Sequence, residues 1–165
     1  MKLLPYRKIV LQTYLTKQEC AEALKNNMFI RSPDALSFSE PKDVTFIGTL
    51  YADSFKLRRV IRYRNSFLPI VSGRFKSIPQ GTEIILKFQL QSFVLAFIIV
   101  WFSMVLVACI AISIGALANN EVPAAPALIP FGMLIFGTVL VNGGFIAEYK
   151  NTRNDMARLF KSIQE

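Results

Sequence analysis

The side chains with the most regular chemical pattern in this sequence are basic, and they fall within residues 54–64. Successive side chains of a strand alternate between its two faces. This stretch would therefore carry basic residues on one face and, with Arg59 as an exception, apolar residues on the other. The basic face would consist of Lys56, Arg58, Arg62 and Arg64, with the apolar Val60 among them. Because ammonium and guanidinium groups bind carboxylates and phosphates, the predicted chemistry is anion binding.

The block at 63–67, YRNSF, has two interpretations. In the first, it is a hairpin turn in which Asn65 adopts the left-handed conformation and Ser66 bonds the backbone. In the second, Arg62, Arg64 and Asn65 form a small anion site for a phospholipid headgroup or for a carboxylate of a partner.

Residues that could perform catalysis are few. The sequence contains no histidine, which removes histidine bases, Ser-His-Asp triads and histidine metal ligands. It also lacks Walker loops and the motifs G-x-G-x-x-G, G-x-S-x-G and Cys-x-x-Cys. Acidic residues occupy loop or turn positions without a motif spacing at Asp34, Glu40, Asp43 and Asp53. We therefore expect no enzymatic activity, no cofactor and no metal site.

The basic residues would be carried by a small α+β domain, residues 1–91, with the element order β-α-β-β-β-β. Thr16 and Glu19 form a capping box that opens a helix ending near Asn27. Residues 28–41 indicate a loop with at most one short extended piece. Short turns join the later strands, so they should pair as an antiparallel sheet with the helix on one face. The strands are predicted at 8–15, 44–50, 54–64, 67–75 and 82–90.

Two long uncharged runs follow this domain. Residues 92–117 and 126–147 contain 26 and 22 residues without Asp, Glu, Lys or Arg. As helices they would be roughly 39 and 33 Å long, enough to cross a hydrocarbon core of about 30 Å. A helical hairpin buried in a soluble core would normally show polar residues on one face of each helix, and these runs do not. The sequence therefore predicts a transmembrane hairpin joined by a turn at 118–125.

The distribution of basic residues predicts the orientation of that hairpin. Residues 1–91 hold 15 Lys and Arg against seven acidic residues, the turn holds no basic residue, and the tail at 148–165 holds four. Lysine and arginine near a span resist translocation, so both termini should be cytoplasmic and the turn external. For a bacterial protein this is a multi-pass protein of the inner (plasma) membrane.

Small residues and one amide are the packing candidates within the spans. Glycines let helix backbones approach closely, and an amide in a span favours an interhelical hydrogen bond. Such residues fit a homo-oligomer and fit packing within one hairpin equally well. The candidates are Gly115, Gly132, Gly137, Asn142, Gly143 and Gly144.

The tail at 148–165 has the spacing of an amphipathic helix. Its apolar stripe consists of Met156, Leu159, Phe160 and Ile163. Such a helix can lie in the headgroup region or dock on the soluble domain, and we favour docking, because a small core gains apolar burial from it.

The stretch 46–90 resembles a pattern found in small bacterial membrane proteins of unassigned function. In that pattern a Phe-x-Gly strand, an Arg-x-Ile-x-Tyr-Arg-Asn-Ser-Phe-x-Pro block and a Gly-Thr-x-Ile strand precede two hydrophobic helices. The resemblance implies an α+β domain with two transmembrane helices, and it implies no activity. It is carried by Phe46, Gly48, Arg59, Ile61, Tyr63, Arg64, Asn65, Ser66, Phe67, Pro69, Gly73, Gly81 and Thr82.

Three functions are consistent with these features. The first is a non-enzymatic accessory or binding protein whose basic domain contacts anionic lipid headgroups or a larger membrane complex. The second is an oligomeric two-helix channel or pore with Asn142 towards its axis, although neither span carries the ionisable residue that marks an ion pathway. Nucleic-acid binding is weaker than both, because no recognised motif accompanies the charge, and it is not expected.

Overall fold

The computed structural model describes residues 5–30, 44–119 and 125–161. The loop acids Asp34, Glu40 and Asp43, the turn at 120–124 and the chain ends lie outside the described residues. The elements in chain order are β1 (Tyr6–Thr13), α1 (Lys17–Asn27), β2 (Met28–Ile30), β3 (Phe46–Leu50), β4 (Ser54–Arg59), β5 (Ile70–Ile78), β6 (Gly81–Gln89), α2 (Ser92–Asn119), a 3-10 turn (Ala125–Leu128) and α3 (Ile129–Leu159).

Helix α1 begins as the sequence predicts. The Thr16 hydroxyl accepts a hydrogen bond from the Glu19 amide at 3.3 Å, and the Thr16 amide donates to the Glu19 carboxylate at 2.7 Å. The bond from the Thr16 amide, and one of 2.8 Å from the Thr16 hydroxyl to the same carboxylate, lower the pKa of Glu19 below its ordinary value. The capping box and the end of the helix at Asn27 are confirmed. Lys17, in the first turn, forms an ion pair with Asp53, which holds the β3–β4 turn against the helix.

The sheet has six strands in the order β1-β6-β5-β4-β3-β2 and is mixed. Strands β3 to β6 form the expected antiparallel meander, and β1 pairs antiparallel with β6. The prediction of a purely antiparallel sheet is wrong, because β2 pairs parallel with β3. β2 follows α1 directly and has three residues, too few to show strand alternation in the sequence. It forms the edge of the sheet and contributes the buried Met28 to the core.

One face of the sheet carries the core. Helix α1 contributes Cys20 and Leu24 to it, α3 contributes Met156, and Phe160 follows directly after the end of α3; all four are fully buried. The ring of Phe160 lies 6.3 Å from that of Phe55 and 6.1 Å from that of Phe75. The tail therefore docks on the sheet. Strand residues complete the core, with Leu11, Phe46, Phe55, Leu57, Val71, Phe75, Ile84, Leu86 and Phe88.

Helix α3 packs along the core face of the sheet. Near the end of β6 that leads into α2, the ring of Tyr149 lies 4.9 Å from that of Phe88. Three turns later, Phe160 reaches Phe55 and Phe75. Phe88, beside Tyr149, pairs with Val71 of β5, and Phe75, beside Phe160, lies four residues further along β5. The helix has therefore advanced along the strands between Tyr149 and Phe160. Over these three turns it also crosses from β6 towards β4, so its axis lies along the core face of the sheet and is inclined to the strands.

Two helices are long and apolar enough to cross a membrane, one over Ser92–Asn119 and one over Ala125–Leu159. In the most apolar window of each, 11% and 17% of the residues are buried within the protein. A core helix of a soluble protein would be mostly buried, so these helices present apolar surface to their surroundings. The second helix continues beyond residue 147 into the docked tail without a break.

Candidate functional site

The face of the sheet opposite the core, here called the open face, carries a row of lysines. Lys8 pairs with Lys87 across β1 and β6, Lys87 pairs with Ser72 of β5, and Ser72 pairs with Lys56 of β4. With strands about 4.8 Å apart, this row extends over about 14 Å. All three lysines are exposed. The row places three ammonium groups and a hydroxyl on one line across the sheet.

The pairing of Lys8 with Lys87 has an energetic cost. Directly opposite residues of an antiparallel pair have Cβ atoms about 5 Å apart, and like charges there are destabilising. The open face adds Arg58, Arg74 and Lys76 at other levels of the same strands. In the described strands this face carries one acidic residue, Glu83, and its carboxylate lies 3.7 Å from the Lys76 ammonium. The open face is therefore strongly basic.

The structure divides the predicted basic residues between two places. Lys56 and Arg58 lie on the open face of β4, as their alternation predicts. β4 ends at Arg59, whereas the sequence predicted a strand to residue 64, so the placement of Arg62 and Arg64 on the same face is wrong. Those arginines, together with Asn65, lie in the connection 60–69 between β4 and β5.

Basic residues of the open face outside β4 were missed by sequence reasoning. Alternation was the available signal, because Arg74 and Lys76 alternate with buried neighbours in β5, as Lys87 does in β6. Their proximity to Lys56 depends on strand register, which the sequence does not fix.

The connection 60–69 contains a turn built by an asparagine side chain. The carbonyl oxygen of the Asn65 side chain accepts a hydrogen bond from the Phe67 amide at 2.9 Å. The Leu68 amide adds a bond of 3.3 Å to the Asn65 backbone carbonyl. The left-handed conformation predicted for Asn65 is wrong, because among the described non-glycine residues only Lys161 has a positive φ. The hydrogen bond from the Phe67 amide to the Asn65 side chain stabilises the turn without a left-handed backbone at Asn65.

Two contacts hold this connection against α3. The Tyr63 hydroxyl donates a hydrogen bond to the Glu148 carboxylate, which raises the pKa of Tyr63 above its ordinary value. One helical turn earlier, the Phe67 ring lies over Gly144, where a Cβ atom would come within 2.8 Å of the ring. Arg64 lies in the chain between these two anchors.

A polar cluster lies on the core side of β4. Arg59, the exception in the apolar alternation, faces α3, and its Nε lies 2.7 Å from the Asp155 carboxylate. Its Nη1 lies 3.8 Å from Glu148, a residue that is 2% exposed. Arg59 of β4 thus links the sheet to two acidic residues of α3. If Arg59 were removed, the buried Glu148 carboxylate would be left without a positive charge, which is unfavourable.

The helix-packing candidates separate into two groups. Gly137 and Gly144 contact aromatic rings, since a Cβ on Gly137 would lie 2.7 Å from the Trp101 ring. Asn142, predicted to bond between helices, donates to the Thr138 carbonyl of its own helix at 2.9 Å. The remaining glycines face open space, with no atom within 4 Å of a Cβ position, and they are Gly115, Gly132 and Gly143.

An apolar cleft of about 480 Å³ opens between α2 and α3 beside the connection 60–69. Ser66 and Phe67 form its end next to the sheet. Gly137 lets the Trp101 ring pack across α3 within it. Its helical walls consist of Phe93, Val94, Phe97, Ile98, Trp101, Phe102, Phe136, Gly137, Leu140 and Val141.

Comparison of the chain with protein-family models, with curated proteins and with solved structures gives no match. The resemblance to small bacterial membrane proteins therefore stays a prediction. Within the three described ranges, no group of three or more His, Cys, Asp and Glu side chains could hold a metal ion.

Proposed function

We propose that this protein is a non-enzymatic, membrane-anchored binding module whose open face binds an acidic surface of a larger membrane complex. The observation that carries the proposal is the lysine row formed by Lys8, Lys87 and Lys56. None of the three lysines has an acidic partner among the described residues. A row of like charges that costs folding stability is suited to a partner of opposite charge.

The two apolar helices supply the anchor in this proposal. Their length, composition and exposed apolar surface support insertion in a membrane. The excess of lysine and arginine on both flanks supports cytoplasmic termini in the inner (plasma) membrane of a bacterium. Because β6 ends at Gln89 and α2 begins at Ser92, the sheet would lie directly below the cytoplasmic leaflet.

The orientation of the sheet favours a protein over a flat lipid surface as the partner of the open face. Helix α3 packs along the core face of the sheet, so a membrane-crossing α3 would hold the plane of the sheet near the membrane normal. The open face would then look along the membrane plane. Headgroups would reach its upper end, whereas an acidic neighbour in the same membrane could cover Lys8, Lys56 and Lys87 together.

The pore hypothesis gains no such support. It placed Asn142 towards a pore axis, but an Asn142 amide N–H is bonded to Thr138 within the same helix. We therefore retain the binding module as the proposal.

Charge reversal on the open face tests the proposal. Lys56→Glu with Lys87→Glu would be compared with Lys25→Glu and Arg153→Glu, which make the same change in net charge at exposed positions off this face. Tagged full-length chains would be cross-linked in native membranes, purified in mild detergent and analysed by quantitative mass spectrometry. We expect the amount of one co-purified partner protein to fall at least about tenfold with the open-face variant and to stay unchanged with the control variant.

The salt dependence provides a second readout. Recovery without cross-linking should fall as ionic strength rises from about 0.05 to about 0.5 M, because exposed charge pairs are screened. Equal recovery of the same proteins with both variants would overturn the open face as the interface. Melting curves of the purified variants would show whether the fold is retained. If Lys56→Glu with Lys87→Glu does not fold, the milder pair Lys56→Gln with Lys87→Gln would be tested in its place.

A further inference from the structure

We propose that the cleft between α2 and α3 is a binding site for one anionic phospholipid, with an acyl chain between the helices and the phosphate on Arg62 and Arg64. This site goes beyond the protein-binding open face and uses none of its residues. It rests on the proposal that α2 and α3 cross the membrane.

The cleft has the composition and size of a site for an apolar chain. Its walls are aromatic and aliphatic, and its volume of about 480 Å³ lies within the range of ligand pockets, roughly 300–1,000 Å³. Along α2 the lining extends from Phe93 to Phe102. Nine residues of helix rise about 14 Å, close to half of a hydrocarbon core of about 30 Å. The cleft therefore has the depth of one leaflet.

The connection next to the sheet end of the cleft carries two basic residues, Arg62 and Arg64, that a phosphate headgroup requires. Ser66 and Phe67 line this end, and Arg64 is held two residues away between the anchors at Tyr63 and Phe67. Arg62 and Arg64 are exposed and have no acidic partner in the part of the chain that the structure describes. Guanidinium groups bind phosphate through paired, charge-assisted hydrogen bonds.

The charge distribution decides between a lipid and a second copy of this chain. A second copy would fill the cleft with an apolar helix and leave Arg62 and Arg64 without an anion. An anionic phospholipid satisfies both parts of the site at once, because its apolar chain and its phosphate are joined in one molecule. Glu148, the acidic residue nearest this end on α3, is already bonded to Tyr63 and is buried.

Two neighbouring residues of α3 provide a matched test of the cleft. Leu140 lines it, whereas Val139 is 66% exposed and does not. The full-length protein would be placed in nanodiscs with phosphatidylglycerol that carries a photoactivatable group on one acyl chain. Leu140→Trp should reduce labelling at the cleft residues Phe97 and Trp101 at least about fivefold relative to labelling at the exposed Ile135, and Val139→Trp should not, because a tryptophan fills the site only at position 140. Equal labelling in both variants would overturn the acyl site.

The headgroup is tested with Arg62→Gln and Arg64→Gln against Lys25→Gln and Arg153→Gln. Each guanidinium near an anionic phosphate contributes about 1 kcal/mol, so loss of one should weaken phosphatidylglycerol retention about fivefold. Native mass spectrometry would count the lipids kept by each variant. Equal retention of phosphatidylcholine, or competition by inorganic phosphate alone, would overturn the assignment of one anionic lipid.

The alternatives give different results in the same samples. Trp101→Cys chains that cross-link to one another through the cleft would assign it to a second copy and overturn the lipid site. Extraction of the chain from membranes by alkaline carbonate would overturn the membrane anchor of the proposed function. A chain that stays inserted but keeps no lipid overturns this inference alone.

Discussion

Arg59 of β4 and Asp155 of α3 are separated by 96 positions in the sequence, and their side chains form an ion pair at 2.7 Å. Glu148 lies on the same side of α3, one end of its carboxylate near Arg59 and the other bonded to Tyr63. These polar contacts join the sheet to the helix that continues from the second apolar run. The orientation of the open face and the position of the connection 60–69 both depend on this junction.

The first prediction is that Arg59→Met destabilises the fold. The change leaves Glu148, which is 2% exposed, without its nearest positive charge, and it also breaks the Asp155 pair. We expect a loss of about 1–3 kcal/mol in the free energy of unfolding. Thermal unfolding in detergent would measure it. Lys56→Met on the open face is the control, and an equal effect of both changes would contradict a specific role of the cluster.

The second prediction concerns pH and Tyr63. The hydrogen bond to Glu148 and, secondarily, partial burial raise the pKa of Tyr63, so the folded state favours the protonated phenol. This stabilisation is complete below the ordinary tyrosine pKa of about 10 and is lost as pH rises through the raised value. The difference in Tm between the wild type and Tyr63→Phe should therefore be constant at neutral pH and decrease above about pH 10. A difference that grows with pH would be inconsistent with this bond.

The third prediction is that the docked tail stabilises the sheet domain. Phe160 is fully buried against Phe55 and Phe75, so Phe160→Ala should cost about 3–5 kcal/mol. Truncation after Thr152 removes Met156 as well and should lower the Tm further. Arg158→Ala, at an exposed position of the same turn, should leave the Tm nearly unchanged. An unaltered Tm after truncation, together with weaker lipid binding, would assign the tail to the membrane surface instead.

Local patterns in the sequence predicted much of the architecture. The capping box at Thr16 and Glu19 fixes the start of α1 through bonds three residues apart. The apolar alternation of β6 and the length of the two uncharged runs are also local, so a strand and two long helices follow from them. The stripe of Met156 and Phe160 predicted docking of the tail because it needs apolar burial.

What the sequence did not predict depends on contacts between distant residues. Alternation alone would continue β4 to Arg64, but Tyr63 and Phe67 are held against α3, so the chain leaves the sheet after Arg59. The lysine row required the register of four strands. β2 is the short extended piece allowed within residues 28–41, but its parallel pairing with β3 was missed, because that pairing joins segments on either side of residues 31–43. The sequence showed Arg59 as an exception to the alternation of its strand, but it did not indicate that Asp155 and Glu148 of α3 would be its partners.

The fourth prediction is that the two ends of α2 lie on opposite sides of the membrane. In intact cells, Asn119→Cys should react with an impermeant maleimide, and Gln18→Cys should react after the membrane is permeabilised. Both positions are exposed. Native Cys20 cannot serve as the control, because it is fully buried and its burial raises the pKa of the thiol. Labelling of Gln18→Cys, but not Asn119→Cys, in intact cells would reverse the topology.

The last prediction is that Lys87→Gln stabilises the isolated protein while it weakens partner binding. Lys87 lies directly opposite Lys8, and removal of one charge relieves their repulsion. We expect a gain of a few tenths of a kcal/mol at low salt, and the gain should shrink as the Debye length falls to about 3 Å near 1 M salt. Lys150→Gln, at an exposed position inside α3, makes the same change without this cross-strand pair. Melting curves of both variants at low and high salt would measure the effect. A gain that does not depend on salt would show that the two ammonium groups do not repel each other. The lysine row would then contain no repulsion for an acidic partner to relieve.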